Sequence, residues 1–228
     1  MSDQTLSTNQ TCFKRIKLNN EITTKNFIGC LIHYFMLSFI FVSVDSLQPM
    51  LLQKKFNIEE KDISSSHQNA LVIVFDIIVK LITAPFFGYL ADRKGRSMIN
   101  LYGILWIGAT MMLMPYSQEL YQYVILRCFY AQGAIAISVV PLLADYVNHY
   151  SRGTCAAFLV FMSSLGAVSS AFINFTILSQ VESDIRINLQ YGVISILILV
   201  IGVVYTVFFL KKGNKYYLTG NNEKKTFK

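Results

Sequence analysis

The sequence predicts an all-α membrane protein with six transmembrane helices. Three observations carry this expectation. Of 228 residues, 54% are hydrophobic and only 14% are charged, whereas a soluble domain carries about 25% charged residues. Six apolar runs approach or exceed the roughly 20 helical residues that cross a hydrocarbon core of about 30 Å. The basic residues cluster in short stretches beside those runs, as topology signals do. The net charge of +7 therefore reads as membrane orientation, and no nucleic-acid partner is expected.

Residues 1–26 are polar and lack the apolar core of a signal peptide. They are expected to form a cytoplasmic tail. The first span is 27–44, FIGCLIHYFMLSFIFVSV. Residues 45–68 form the sizeable external loop, with Ser64 to Ser66 offered as caps for the next helix. The second and third spans are 69–91 and 98–114. The short PYSQELYQ connection makes the third and fourth helices antiparallel neighbours. The fourth span is 119–144, the fifth 154–178 and the sixth 188–210. Spans of this length are helical because lipid cannot satisfy open strand edges. Residues 211–228, rich in Lys and Asn, form a second polar tail that is expected to be disordered. The organisation is thus a tail at 1–26, a bundle at 27–210 and a tail at 211–228.

An even number of spans puts both ends on one side. That side carries Lys14, Arg15, Lys17, Lys25, Arg93, Lys94, Arg96, Arg152, Lys211, Lys212, Lys215, Lys224, Lys225 and Lys228. The other carries Lys54, Lys55, Lys61 and Arg186. Fourteen against four predicts that both termini face the cytoplasm or an equivalent compartment. Cys12, Cys30, Cys128 and Cys155 form no CxxC pair, so no disulfide framework is expected. No metal-ligand spacing and no GxxxxGK[ST] phosphate loop is present. Neither a catalytic residue, a metal nor a cofactor is expected, and an enzyme or an ATP-driven pump is disfavoured.

Charges inside the spans single out candidate functional residues. Each charge near the bilayer centre costs roughly 2.5–3.5 kcal/mol on insertion scales. Asp76 and Lys80 are four apart and share a helix face. They form either a self-neutralising pair or an ion relay. Arg127 lies about 12 Å into the fourth helix from its external end, at about 1.5 Å per residue. It keeps its charge and needs an acid, water or an anionic ligand. Asp45, at the external end of the first helix, is the acid nearest in depth. His33 is either a hydrogen-bonded packing residue or a proton carrier. Gln132 and the small polar residues Ser163, Ser164, Ser169, Ser170 and Asn174 suit close helix approach. Pro85 and Pro141 offer kinks.

Residues 85–103, PFFGYLADRKGRSMINLYG, place a compact charged turn between two apolar runs. Gly88 and Gly95 suit a sharp turn. Arg96 can reach back to Asp92 at i,i+4. Asp145 ends the fourth helix on the same side, which suggests an Asp92–Arg96–Asp145 cluster. Gly88-Tyr89-Leu90-Ala91-Asp92-Arg93-Lys94-Gly95-Arg96 resembles the loop 2–3 signature of the major facilitator superfamily, with Ser97 at its last basic position. The stretch from Asp145 to Arg152 and Gly153 is similar to the acidic-x6-Arg-Gly element that follows the fourth helix. Arg127, Gln132 and Gly133 resemble that family's fourth-helix Arg…Gly motif.

The resemblance implies a 3+3 inverted repeat, one half of a twelve-helix fold whose substrate site lies between halves. It implies gating roles for Gly88, Asp92, Arg93, Gly95, Arg96, Asp145 and Arg152. It implies a solute or ion pathway through His33, Asp45, Arg127 and Gln132, to which the residues themselves add Asp76 and Lys80. The expected activity is transport of a small solute by alternating access, from a truncated or half-size transporter. Its partners would be the lipid bilayer, the solute and a second six-helix half or a second copy. The alternative is a non-transporting subunit or regulator that uses the exposed faces of the second and fifth helices. Arg127 favours an anion and Tyr34 and Phe35 a sugar or organic molecule, so the residues select no substrate.

Overall fold

The computed structural model describes residues 11–12, 16–19, 22–56, 63–139, 142–177 and 183–210. Pro141 and the tail at 211–228 lie outside them. Among the described residues the chain is helical, apart from two paired two-residue strands, β1 (Thr11–Cys12) and β2 (Ile16–Lys17).

Helix α1 (Thr24–Phe56) starts beside Thr23, whose hydroxyl accepts the Asn26 amide at 3.4 Å, one of the orphan donors of a helix start. It runs well past the expected boundary at 44, through Pro49. The extension is held from outside. Lys55 Nζ donates to the carbonyl oxygen of Pro115 and, at 3.2 Å, to that of Ser117. Burial lowers the Lys55 amine below its usual range. Helix α2 (Ile63–Lys94) also begins early. The expected external loop at 45–68 is therefore corrected to helix on both sides of residues 57–62. Ser64 to Ser66 lie inside the first turn of α2 rather than ahead of it, and their side chains lie outside the described residues.

Gly95 separates α2 from α3 (Arg96–Leu113) with φ 93 and ψ 141. That region of backbone space is essentially reserved for glycine, so the turn depends on this residue. Gly88 plays a lesser part than expected. A Cβ placed there meets only Val139 Cγ1 at 3.5 Å, an ordinary contact. A 3-10 turn (Met114–Tyr116) leads to α4 (Leu120–Ser138). The expected fourth helix ends at Ser138, six residues short of 144, and a separate five-residue helix, α5 (Leu142–Tyr146), follows. After a 3-10 turn (His149–Ser151), α6 (Arg152–Phe172) passes into one π-helical turn (Ile173–Ile177), and α7 (Ser183–Phe208) closes the bundle.

Among the described residues, five helical segments are long and apolar enough to cross a membrane: Thr24–Gln53, Asn69–Lys94, Arg96–Tyr116, His149–Thr176 and Ile187–Phe208. The remaining expected span, the fourth, corresponds to α4, which has 19 residues and carries Gln122, Arg127 and Gln132, which lower its apolar character.

The helices touch in a chain: α6 on α1, α1 on α7, α7 on α3, α3 on α4 and α4 on α2. α2 and α6 are the ends of that chain and keep wide apolar faces exposed, including Leu81 and Ile82 on α2 and Val160 and Phe161 on α6. The α1–α6 contact is the closest. A Cβ on Gly166 would lie 2.1 Å from the Phe35 carbonyl oxygen. Beside it Ser38 bonds to Ser163, and Ser43 Oγ lies 2.7 Å from Ser170 Oγ. Small polar residues of this kind let membrane helices pack backbone to backbone. Tyr123, Tyr130 and Tyr191 are fully buried among Leu47, Leu51, Ile107 and Met111 in the core.

The segment expected to be a tail also joins the core. Ile16, Leu18 and Ile22 are buried, and Leu18 bridges Val147 in antiparallel fashion.

Candidate functional site

The charges that the sequence places inside the bilayer converge on one network. Lys80 Nζ donates to Asp76 Oδ2 at 2.5 Å on α2. Asp76 Oδ1 lies 3.6 Å from Arg127 Nε on α4. Arg127 Nη2 donates to Asp45 Oδ1 on α1 at 3.0 Å. Two acids and two bases cancel. Cancellation is what permits them to sit in low dielectric, where an unpaired charge costs several kcal/mol, of the order of 3–5 when a partner is lost. Both cations also rest on aromatic faces. Arg127 Cζ is 4.8 Å from the Tyr130 ring centroid, and Lys80 Nζ is 5.6 Å from that of Phe41, an added electrostatic attraction.

The two acids are unlike. The Asp76 side chain is 5% exposed and that of Asp45 is 71% exposed. The Arg127 guanidinium, 4% exposed, thus joins a buried carboxylate to one that meets the surroundings. Its Nη1 atom is buried and makes no hydrogen bond among the described residues. The spacing of Asp76 and Lys80 and the depth match of Arg127 and Asp45 anticipate the two pairs. The link between Asp76 and Arg127 follows from α2 packing on α4, which no spacing in the sequence reveals.

A second cluster lies at the other end of α4. Arg96, first residue of α3, pairs with Asp145 on α5 and lies 4.0 Å from Asp92 at the end of α2. The three residues expected to group there do so. Burial lifts the Asp145 carboxyl above its usual range; Arg96 and Arg152 pull it down, and Asp92 pushes it up. Arg93 turns aside onto its own helix, with Cζ 4.8 Å from the Tyr89 centroid. Arg152 is exposed at the start of α6, and a Cβ on Gly153 would meet nothing within 4 Å.

His33 stands apart from both clusters. It is buried, and its Nδ1 lies 3.2 Å from the Tyr205 hydroxyl on α7. Asn100 on α3 donates to that same hydroxyl at 2.9 Å and to Thr206 Oγ1 at 2.8 Å. These residues stitch α1, α3 and α7 together. Gln132 is half-buried on α4, five residues past Arg127.

Sequence reasoning missed two features. One is the polar ladder Ser46–Asn174–Gln190 joining α1, the π turn and α7, with Asn174 Nδ2 3.1 Å from Ser46 Oγ and Gln190 Nε2 3.2 Å from the Asn174 carbonyl oxygen. The other is the packing of Ile16, Leu18 and Ile22. Its signal is the alternation Ile16-Lys17-Leu18-Asn19, a period of two that marks a half-buried strand.

Comparison with known proteins adds an independent finding. The family described as Major Facilitator Superfamily matches residues 27–226. The proteins described as multidrug resistance protein MdtG are similar in part. That of Salmonella choleraesuis (strain SC-B67) is 26% identical over 143 residues, 62% of this chain and 33% of the relative. That of Klebsiella pneumoniae (strain 342) is 32% identical over 106 residues, 46% and 25% respectively. That of Escherichia coli (strain K12 / DH10B) is 28% identical over 141 residues, 60% and 32%. The matched segments span a quarter to a third of the length of these curated relatives.

Proposed function

This chain belongs to the Major Facilitator Superfamily, and on that premise we propose that it moves a small solute across a membrane by alternating access. The observation that carries the reading is the pairing of Arg96 with Asp145 beside Asp92. It ties the α2–α3 turn to the end of α5, while the Asp45–Arg127–Asp76–Lys80 network lies toward the opposite end of α4. Ion pairs that close one mouth of a bundle are the bistable contacts that a gate requires. Arg96, Asp92, Asp145, Arg93, Gly95, Gly88 and Arg152 act at that gate. Arg127, Asp45, Asp76 and Lys80 lie on the solute or ion path, with Gln132 on the helix of Arg127 and His33 on that of Asp45.

The end that carries Arg96 faces the cytoplasm, as the excess of Lys and Arg on that side supports. The exposed apolar faces of α2 and α6 pack against a second six-helix bundle, so that the path runs between the two. The relatives are named for multidrug resistance, which makes an organic cation the first probe. Cells expressing the chain are expected to accumulate less ethidium than control cells, and Arg127→Ala is expected to cancel the difference. Equal accumulation with and without the chain overturns the drug-transport form of the reading. A variant Arg96→Ala that leaves the accessibility of both mouths unchanged overturns the gate.

A further inference from the structure

The segment at 16–19 meets the proposed gate cluster at Asp145. Asn19 Nδ2 donates to the Asp145 carbonyl oxygen at 2.6 Å, while the Asp145 carboxylate accepts from Arg96. Around that point the backbones are laced together. The Asn19 amide donates to the Tyr146 carbonyl at 3.1 Å, and the Asn148 amide donates to that of Lys17 at 3.0 Å. The Lys17 amide donates to Ser151 Oγ at 3.1 Å. Ile16, Leu18 and Ile22, each under 5% exposed, anchor the segment in the same core as Leu142, Tyr146 and Val147.

α5 has only five residues. A helix of one turn has almost no stability of its own, so its orientation is set by what it is tied to. On one side it is tied by Arg96 and on the other by this segment. We propose that residues 16–19, together with the anchor Ile22, form a strap that locks α5, and that seating or release of the strap sets whether Asp145 stays paired with Arg96. The strap is a conformational lock on the gate from the N-terminal side. Its seat is small, three apolar side chains and a few hydrogen bonds, so it can open without unfolding the bundle. Opening of this kind is local and is read by amide exchange.

The test is hydrogen exchange, followed by mass spectrometry, of the full chain in detergent micelles. It needs no solute and is therefore independent of the transport reading. In the parent chain the 145–151 amides are expected to exchange slowly. Leu18→Asp is expected to speed their exchange on the order of tenfold, with α3 and α7 unchanged. Asn19→Ala, which keeps the apolar anchors, is expected to do so by less. Arg96→Ala alone also speeds exchange there, and its effect shrinks when combined with Asn19→Ala, because both act through Asp145. Where Leu18→Asp loosens the whole bundle, the Asn19→Ala pair decides. Unchanged exchange at 145–151 in Asn19→Ala, or fully additive effects of Asn19→Ala and Arg96→Ala, overturns the lock.

Discussion

Asp76 is the residue on which the membrane network depends most. It is buried, it touches both cations, and it links two helices. Asp76→Ala strands Lys80 and leaves Arg127 with the exposed Asp45 as its acid, and breaking such a buried pair costs roughly 3–5 kcal/mol. Asp45→Ala removes a carboxylate that is 71% exposed, so its loss is expected to cost no more than about 1 kcal/mol. Thermal unfolding in detergent micelles checks this order: Asp76→Ala should melt well below Asp45→Ala. Adding Lys80→Ala to Asp76→Ala should restore part of the loss, since it removes the stranded charge. The two pairs at the ends of this network are legible in the sequence, because i,i+4 spacing and depth along a helix are one-dimensional. The Asp76–Arg127 link is not, because it is set by which helices lie side by side. His33 was legible as a buried polar residue. Its partner Tyr205 lies 172 positions away, and nothing local announces it.

At the scale of elements, two glycines make opposite demands. Gly95 is needed for its backbone angle, and Gly95→Ala should cost about 1–3 kcal/mol by forcing a positive φ. Gly166 is needed for room, since its Cβ position is occupied by the Phe35 carbonyl. Gly166→Leu should therefore push α6 away from α1. A Ser38→Cys, Ser163→Cys pair reports on it: a short thiol cross-linker should join the helices in the parent background and fail when Gly166→Leu is added. Unimpaired cross-linking would show that α1 and α6 adjust around the larger side chain. The helices themselves were legible from the apolar runs, but not all of their ends. Asp45, Gln48, Pro49 and Lys55 read as a loop by polarity, yet α1 continues through them. The reason is that Leu47, Leu51 and Leu52 on the extension are buried in the core, while the Lys55 ammonium donates to the carbonyl oxygens of Pro115 and Ser117. The apolar run to 144 hid the end of α4 at Ser138. The packing of Ile16, Leu18 and Ile22 was hidden by the Lys and Asn around them.

At the scale of the whole molecule, orientation rests on charge alone. Lys and Arg flanking membrane helices bias which side each end lies on. The gate end, with Lys94 exposed beside Arg93, should lie on the cytoplasmic side. The α3–α4 connection, where Gln118 is exposed, should lie on the opposite face. Lys94→Cys and Gln118→Cys, each made separately, separate these sides. A membrane-impermeant maleimide applied to intact cells should label Gln118→Cys above the parent background, and should label Lys94→Cys only after permeabilisation. The reverse pattern would invert the bundle. It would also place the Arg96–Asp145 gate at the outer mouth, and the strap would then meet external rather than cytoplasmic partners. The same experiment therefore decides from which side the proposed lock is reached. With the expected result, Asp45, the exposed end of the Arg127 network, looks outward. Solute arriving from outside would then meet that carboxylate before the buried Asp76, and the strap would restrain the exit on the other side.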